Sequence, residues 1–155
     1  MRLFSILTCI LIAFTLNSCG KTYTEADKQE FDQEIQKFIS KGNDTYEKSE
    51  SGLYYLIENE GEAEGEYLKY TDLVSFKYEG KFLSGEPFDN RHRTKPLTFE
   101  VSQLIEGWKE AFMYLKKGGK AKIIVPPHLG YGDHQLDDIP ANSILFFNIE
   151  IVDVN

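Results

Sequence analysis

Along the chain, apolar residues recur with two different periods. In Leu73-Val74-Ser75-Phe76-Lys77-Tyr78 strict alternation puts Val74, Phe76 and Tyr78 on one face, the mark of a strand buried on one side. Leu97, Phe99 and Val101 alternate likewise, and Ala121 to Val125 is an apolar run stopped by Pro126 and Pro127. Ile144 to Val152 carries Leu145, Phe147, Ile149 and Ile151 on one side. Upstream, Gly52 to Ile57 clusters aromatic and branched residues between polar turns and reads as a further strand. Helical spacing occurs twice. Trp108, Ala111, Phe112 and Leu115 fall at i, i+3, i+4 and i+7 and predict a helix from Ile105 to Leu115. Phe31, Ile35, Phe38 and Ile39 predict another, capped by Thr24, with Glu25 and Asp27 in its first turn, running to Ser40 and ended by Gly42.

These elements predict an α+β fold, an antiparallel sheet of about five strands wrapped around one short amphipathic helix, with an N-terminal helical extension. The expected organisation is a leader over residues 1–18, a tether and N-terminal helix over 19–50, a leading strand and acidic loop over 51–66, and the main domain over 67–155. The acidic run Glu58 to Glu66, with Gly61 and Gly65 inside it, reads as a solvated connection. The narrow stripe of the N-terminal helix suits packing on the domain, or a partner helix.

The leader changes where the domain is expected to act. Leu3 to Leu16 is apolar behind a basic Arg2, the layout of a secretory signal, and is shorter than the roughly 20 residues a membrane-spanning helix needs. Leu16-Asn17-Ser18-Cys19 resembles the lipobox of bacterial lipoproteins, which implies that Cys19 is acylated and becomes the mature N-terminus. The chain has 2 cysteines, and Cys9 falls in the leader, so no disulfide framework is expected. The implied location is the cell envelope, on a lipid anchor.

Charge narrows the partners. Against 25 acidic residues stand 17 basic ones, a net −8, and removal of Arg2 with the leader takes the chain to −9. An acidic surface opposes the phosphate backbone, so nucleic acid is not an expected partner. Hydrophobic residues at 41% and aromatics at 14% describe a folding domain rather than a disordered one. His92, His128 and His134 show no metal-ligand spacing, and Asp133, Asp137 and Asp138 beside His134 read as a solvated loop. No Gly-x-Ser-x-Gly elbow and no phosphate-cradling glycine motif is present. No metal or cofactor is expected.

Several short segments then occur in one order. They are Tyr78-Glu79-Gly80, Gly85-Glu86-Pro87-Phe88-Asp89, Leu104-Ile105-Glu106-Gly107-Trp108, Gly118-Gly119-Lys120, Pro126 to Gly132, Ile139-Pro140-Ala141-Asn142-Ser143 and Leu145 to Glu150. In order and spacing they resemble the FKBP-type peptidyl-prolyl isomerases over Tyr67 to Val154. The resemblance implies an FKBP-like fold and a prolyl pocket walled by Tyr78, Phe88, Phe99, Trp108 and Phe147, with Leu104 and Ile105 at its rim. It also implies that Asp89 faces the twisting amide, and that the Ile105 amide and the Tyr131 hydroxyl donate to the substrate backbone. Leu97 departs from the pattern, standing where the family often has an aromatic residue, and the rim loops after Asp89 and Gly132 are compressed.

The same residues have plainer readings. Alternation alone makes Phe76, Phe99 and Phe147 core residues and Trp108 a helix-face filler. Asp89 can be a turn residue after Pro87, and Tyr131 a loop aromatic. Gly107 weighs the other way, because a glycine at a helix start suggests close backbone approach. A prolyl bond resists rotation by roughly 20 kcal/mol. No bond is made or broken, so a water-poor aromatic box that favours the twisted amide is sufficient apparatus.

The expected function is therefore peptidyl-prolyl cis-trans isomerisation of proline-containing polypeptides folding in the envelope, by a monomer tethered through lipid. A non-catalytic prolyl-segment binding module or chaperone, and an envelope assembly factor that docks through the N-terminal helix, are the alternatives.

Overall fold

Alternating strands need a second layer to bury their apolar face, and the computed structural model supplies one on each side of the sheet. It describes residues 21–89, 92 and 94–155; the leader and Cys19 lie outside the described residues, as do positions 90, 91 and 93. The strands are β1 (Glu47–Lys48), β2 (Tyr54–Asn59), β3 (Leu73–Phe82), β4 (Pro87–Asp89), β5 (Leu97–Glu100), β6 (Lys120–Val125) and β7 (Leu145–Val154). The helices are α1 (Glu25–Ile39) and α2 (Glu106–Phe112). Every pairing is antiparallel, in the order β1-β2-β6-β7-β3-β4, with β5 on the same edge of β3 as β4. The α+β architecture is thus the expected one, enlarged by the two short strands β1 and β4.

Register carries the alternation across the sheet. On one face Tyr55, Ile123, Phe147 and Gly80 lie in a row through β2, β6, β7 and β3. This face meets α2, whose Trp108, Ala111 and Phe112 are buried with Val74, Phe76, Leu145 and Ile151 in the main core. On the other face Tyr54, Ile124 and Phe146 form the matching row, and α1 covers it through buried Ile35 with Phe31, Phe38 and Ile39 around it. The apolar stripe of α1 is therefore spent on its own sheet. A polar seam fixes the contact, with Gln36 Nε2 donating to Tyr54 Oη at 2.7 Å and Tyr54 donating to Asp32.

Three boundaries differ from the sequence expectation. The second helix ends at Phe112 rather than Leu115, because the chain turns to meet the acidic loop, where the Leu68 amide donates to Leu115 O and the Lys116 amide to Glu60 O. Val101 lies in a 3-10 turn (Val101–Gln103) beyond β5, since β3 begins at Leu73 and offers no further ladder partner. The first long strand starts two residues late, at Tyr54, after Gly52 turns the chain with a φ of 98°.

Candidate active site

The site is built on a bulge. β3 and β4 pair Gly80 with Asp89 and Lys81 with Pro87, so Phe88 is an extra residue on the β4 side. A bulge breaks alternation, and Phe88 and Asp89, neighbours in sequence, both line one cavity. Gly80 makes room for this arrangement. A Cβ there would stand 2.5 Å from Cζ of Phe88 and 3.1 Å from Cε1 of Phe147.

Three rings form the base of the cavity. Trp108 stands 5.0 Å from Tyr78 and 4.9 Å from Phe147, and Tyr78 stands 6.1 Å from Phe147, all edge to face. Phe76 braces Trp108 at 5.2 Å, and Phe88 is perpendicular to Phe147 at 5.6 Å. Gly107 brings α2 down onto β6, where a Cβ would come within 2.8 Å of Cγ1 of Val125. The close approach suspected from sequence is thus a contact that sets the depth of Trp108. The indole N–H is buried without an acceptor among the described residues, so ring packing alone holds its orientation.

The resulting cavity measures about 530 Å³, within the usual size of small-ligand sites. Its lining brings together Tyr78, Phe88, Asp89, Phe99, Leu104, Ile105, Trp108, Tyr131 and Phe147. Phe99 occupies a different place from the other rings. It lies on β5 opposite Val74 and is 42% exposed, which makes it an outer wall rather than core.

The polar groups are few. Asp89 is buried and accepts a 2.7 Å hydrogen bond from the Tyr78 hydroxyl. Among the described residues the Tyr131 hydroxyl has no hydrogen-bond partner; burial first, and the Asp89 carboxylate second, push its pKa above that of a free phenol. It is therefore a protonated donor over the whole physiological range. Ile105 is the extended residue before α2; its carbonyl accepts from the Trp108 and Lys109 amides, while its own amide finds no acceptor among the described residues. The Tyr131 hydroxyl, the Ile105 amide and the buried Asp89 carboxylate thus belong to residues that line one aromatic cavity.

Sequence reasoning missed part of the wall. Phe76 belongs to both the core and the cavity, and Gln103 lines it from the 3-10 turn. The Leu136 amide donates to Ile139 O at 2.9 Å, and Asp137 and Asp138 between them, exposed loop residues as expected, also line the cavity. The apolar Leu136 and Ile139 flanking the two acids were the available signal.

An antiparallel sheet packed on a short helix, with a cavity lined by aromatic residues beside that helix, defines the class of fold and site. Residues 65–152 match the family described as FKBP-type peptidyl-prolyl cis-trans isomerase. FkpA of Buchnera aphidicola subsp. Acyrthosiphon pisum is 45% identical over 108 residues, covering 69% of this chain and 44% of that protein. The crystal structure of FkpA from Escherichia coli superposes with a TM-score of 0.72 at 37% identity, over 84% of this chain and 60% of that one. That of AtFKBP13 gives a TM-score of 0.66 at 31% identity, over 72% of this chain and 100% of that one. The chain belongs to the FKBP-type peptidyl-prolyl cis-trans isomerase family. It spans less than half the length of the Buchnera relative.

Proposed function

We propose that this chain catalyses cis-trans isomerisation of X-Pro bonds in polypeptides of the cell envelope, acting as a monomer on a lipid tether. The observation that carries the reading is the Tyr78–Trp108–Phe147 triangle at the base of a cavity edged by Asp89, Ile105 and Tyr131. A pyrrolidine ring rests on Trp108, with Phe88 and Phe99 at its sides and Leu104 at the rim. The Ile105 amide and the Tyr131 hydroxyl hold the substrate backbone on either side of the bond, and Asp89 faces the amide as it twists.

The chemistry asked of these residues is small. Planar amide resonance sets a barrier of roughly 20 kcal/mol, and it is lost as the bond turns. The twisted amide has less charge separation than the planar one, so a water-poor aromatic site favours it. Accelerations of a thousandfold to a millionfold need about 4 to 8 kcal/mol of such preference. Desolvation with two or three well-placed hydrogen bonds is of that order.

Cys19 carries the lipid in this reading. From Cys19 to Tyr23 the chain spans at most about 14 Å, so two or more acyl chains would hold the domain close to a membrane surface. No helix among the described residues is long and apolar enough to cross a membrane. The burial of Ile35 within its own sheet supports a monomer, because it leaves α1 without a free apolar stripe.

Refolding of a proline-limited client beside a proline-free one tests the function. The isomerase accelerates only the first, and loses that effect in Trp108→Ala. Equal benefit to both clients, unchanged in Trp108→Ala, marks a chaperone instead. Metabolic labelling with palmitate, lost in Cys19→Ala, tests the anchor.

A further inference from the structure

The residues just before α1 lie against the loop that carries Tyr131. The Lys21 amide donates to Asp133 Oδ2 at 3.2 Å, and the Tyr23 hydroxyl donates to Asn142 Oδ1 at 2.7 Å. The Tyr23 ring lies 6.2 Å from that of His128 and is edge-on to Phe31 at 5.6 Å. Asp133, Asn142 and His128 all belong to the stretch on either side of Tyr131.

Inside that stretch two residues have left-handed backbone, Gly132 with a φ of 64° and Asn142 with a φ of 60°. The Asn142 amide donates to Gly132 O at 2.8 Å, and the Gly132 amide to Pro127 O at 2.9 Å. A Cβ on Gly132 would stand 3.8 Å from the Tyr23 hydroxyl. The hydroxyl therefore lies on the side of Gly132 where a side chain would stand, and it binds the side chain of Asn142, whose amide holds the Gly132 carbonyl. The start of α1 does not need this bond. Thr24 and Asp27 already form a reciprocal capping box, which holds the Asp27 carboxyl down at about 2.

We propose that Tyr23 is a positioning residue for Tyr131, and that Lys21 to Tyr23 form a strap fixing the loop from His128 to Asn142 against the body of the protein. The proposal rests on the reading of Tyr131 as the donor at the prolyl site. A phenol that is 37% exposed and has no hydrogen-bond partner among the described residues is held only as well as its backbone is held. The strap ties that backbone from a point more than a hundred residues away in sequence.

The test uses the full chain. Tyr23→Phe keeps the ring contacts and deletes the hydroxyl. Its loss should raise amide hydrogen exchange at Gly132 and Asn142 by about three- to tenfold, leaving β6 and β7 unchanged. It should lower kcat/KM on X-Pro peptides by a similar factor, roughly three- to tenfold. In a Tyr131→Phe background the same substitution should have no further effect on kcat/KM, an outcome that general loosening of the fold would not produce. Unchanged exchange at Gly132 and Asn142, or equal losses of kcat/KM in both backgrounds, overturns the proposal. If the unsubstituted chain accelerates nothing, the isomerase reading fails, and the strap is decided by the exchange data alone.

Discussion

The hydroxyl of Tyr78 donates a 2.7 Å hydrogen bond to the buried carboxylate of Asp89, joining the middle of β3 to the end of β4 across the bulge. Tyr78→Phe keeps the ring in its contacts with Trp108 and Phe147 and removes one donor from a buried charge. Hydrogen bonds to charged groups contribute on the order of 1.5 to 3 kcal/mol, so urea unfolding should show a loss in that range. The value of kcat/KM should fall with it, because the carboxylate is less firmly placed.

Gly107 should resist even the smallest side chain. Alanine suits a helix better than glycine by about 1 kcal/mol, but here its methyl would come within 2.8 Å of the fully buried Val125. Overpacking costs typically 1 to 3 kcal/mol, so Gly107→Ala is expected to be a net loss in denaturant unfolding. Adding Val125→Ala opens the space, and the double variant should lose less than the sum of the two single ones.

The α1 side of the sheet should be separable from the site. Ile35 is 1% exposed against Tyr54, Ile124 and Ile144, on the opposite face from Trp108. Ile35→Ala should destabilise the protein by about 2 to 5 kcal/mol. At a temperature where the variant is still folded, kcat/KM per molecule should match that of the unsubstituted chain.

Stability should decline in alkali for an identifiable reason. Burial first, and the Asp44 carboxylate next, push the Tyr46 phenol from 10.0 up to about 12. Its folded pKa is raised, so its contribution is full below the unfolded value near 10 and is lost as the pH climbs through the folded value near 12. Across that window the unfolded chain releases the proton first. Denaturant midpoints measured from pH 9 to 12 should fall less steeply in Tyr46→Phe than in the unsubstituted chain.

Much of this architecture is readable in the sequence because it depends on local period. The alternation of Val74, Phe76 and Tyr78, and of Leu145 to Ile151, sets which face is buried, and the spacing of Phe31, Ile35 and Phe38 sets how α1 lies. The bulge at Phe88 is not readable in the same way. Alternation assigns neighbours to opposite faces, and only the pairing of Lys81 with Pro87 shows that Phe88 and Asp89 share one. The turn over residues 136–139 and the bond from Tyr23 to Asn142 also depend on partners distant in sequence, so no local pattern announces them. The resemblance of the short motifs to a known family filled part of that gap, since it carried Phe88, Asp89 and Tyr131 where periodicity could not.

The aromatic cavity is expected to accelerate rotation about a prolyl bond. Exchange spectroscopy by NMR on short peptides with varied residues before proline measures this with no coupled enzyme. Cis-trans exchange should run well above the uncatalysed rate at catalytic amounts of the chain, and should be strongly reduced in Trp108→Ala and in Tyr131→Phe. Exchange at the buffer rate for every peptide, or acceleration that both substitutions leave intact, would contradict it.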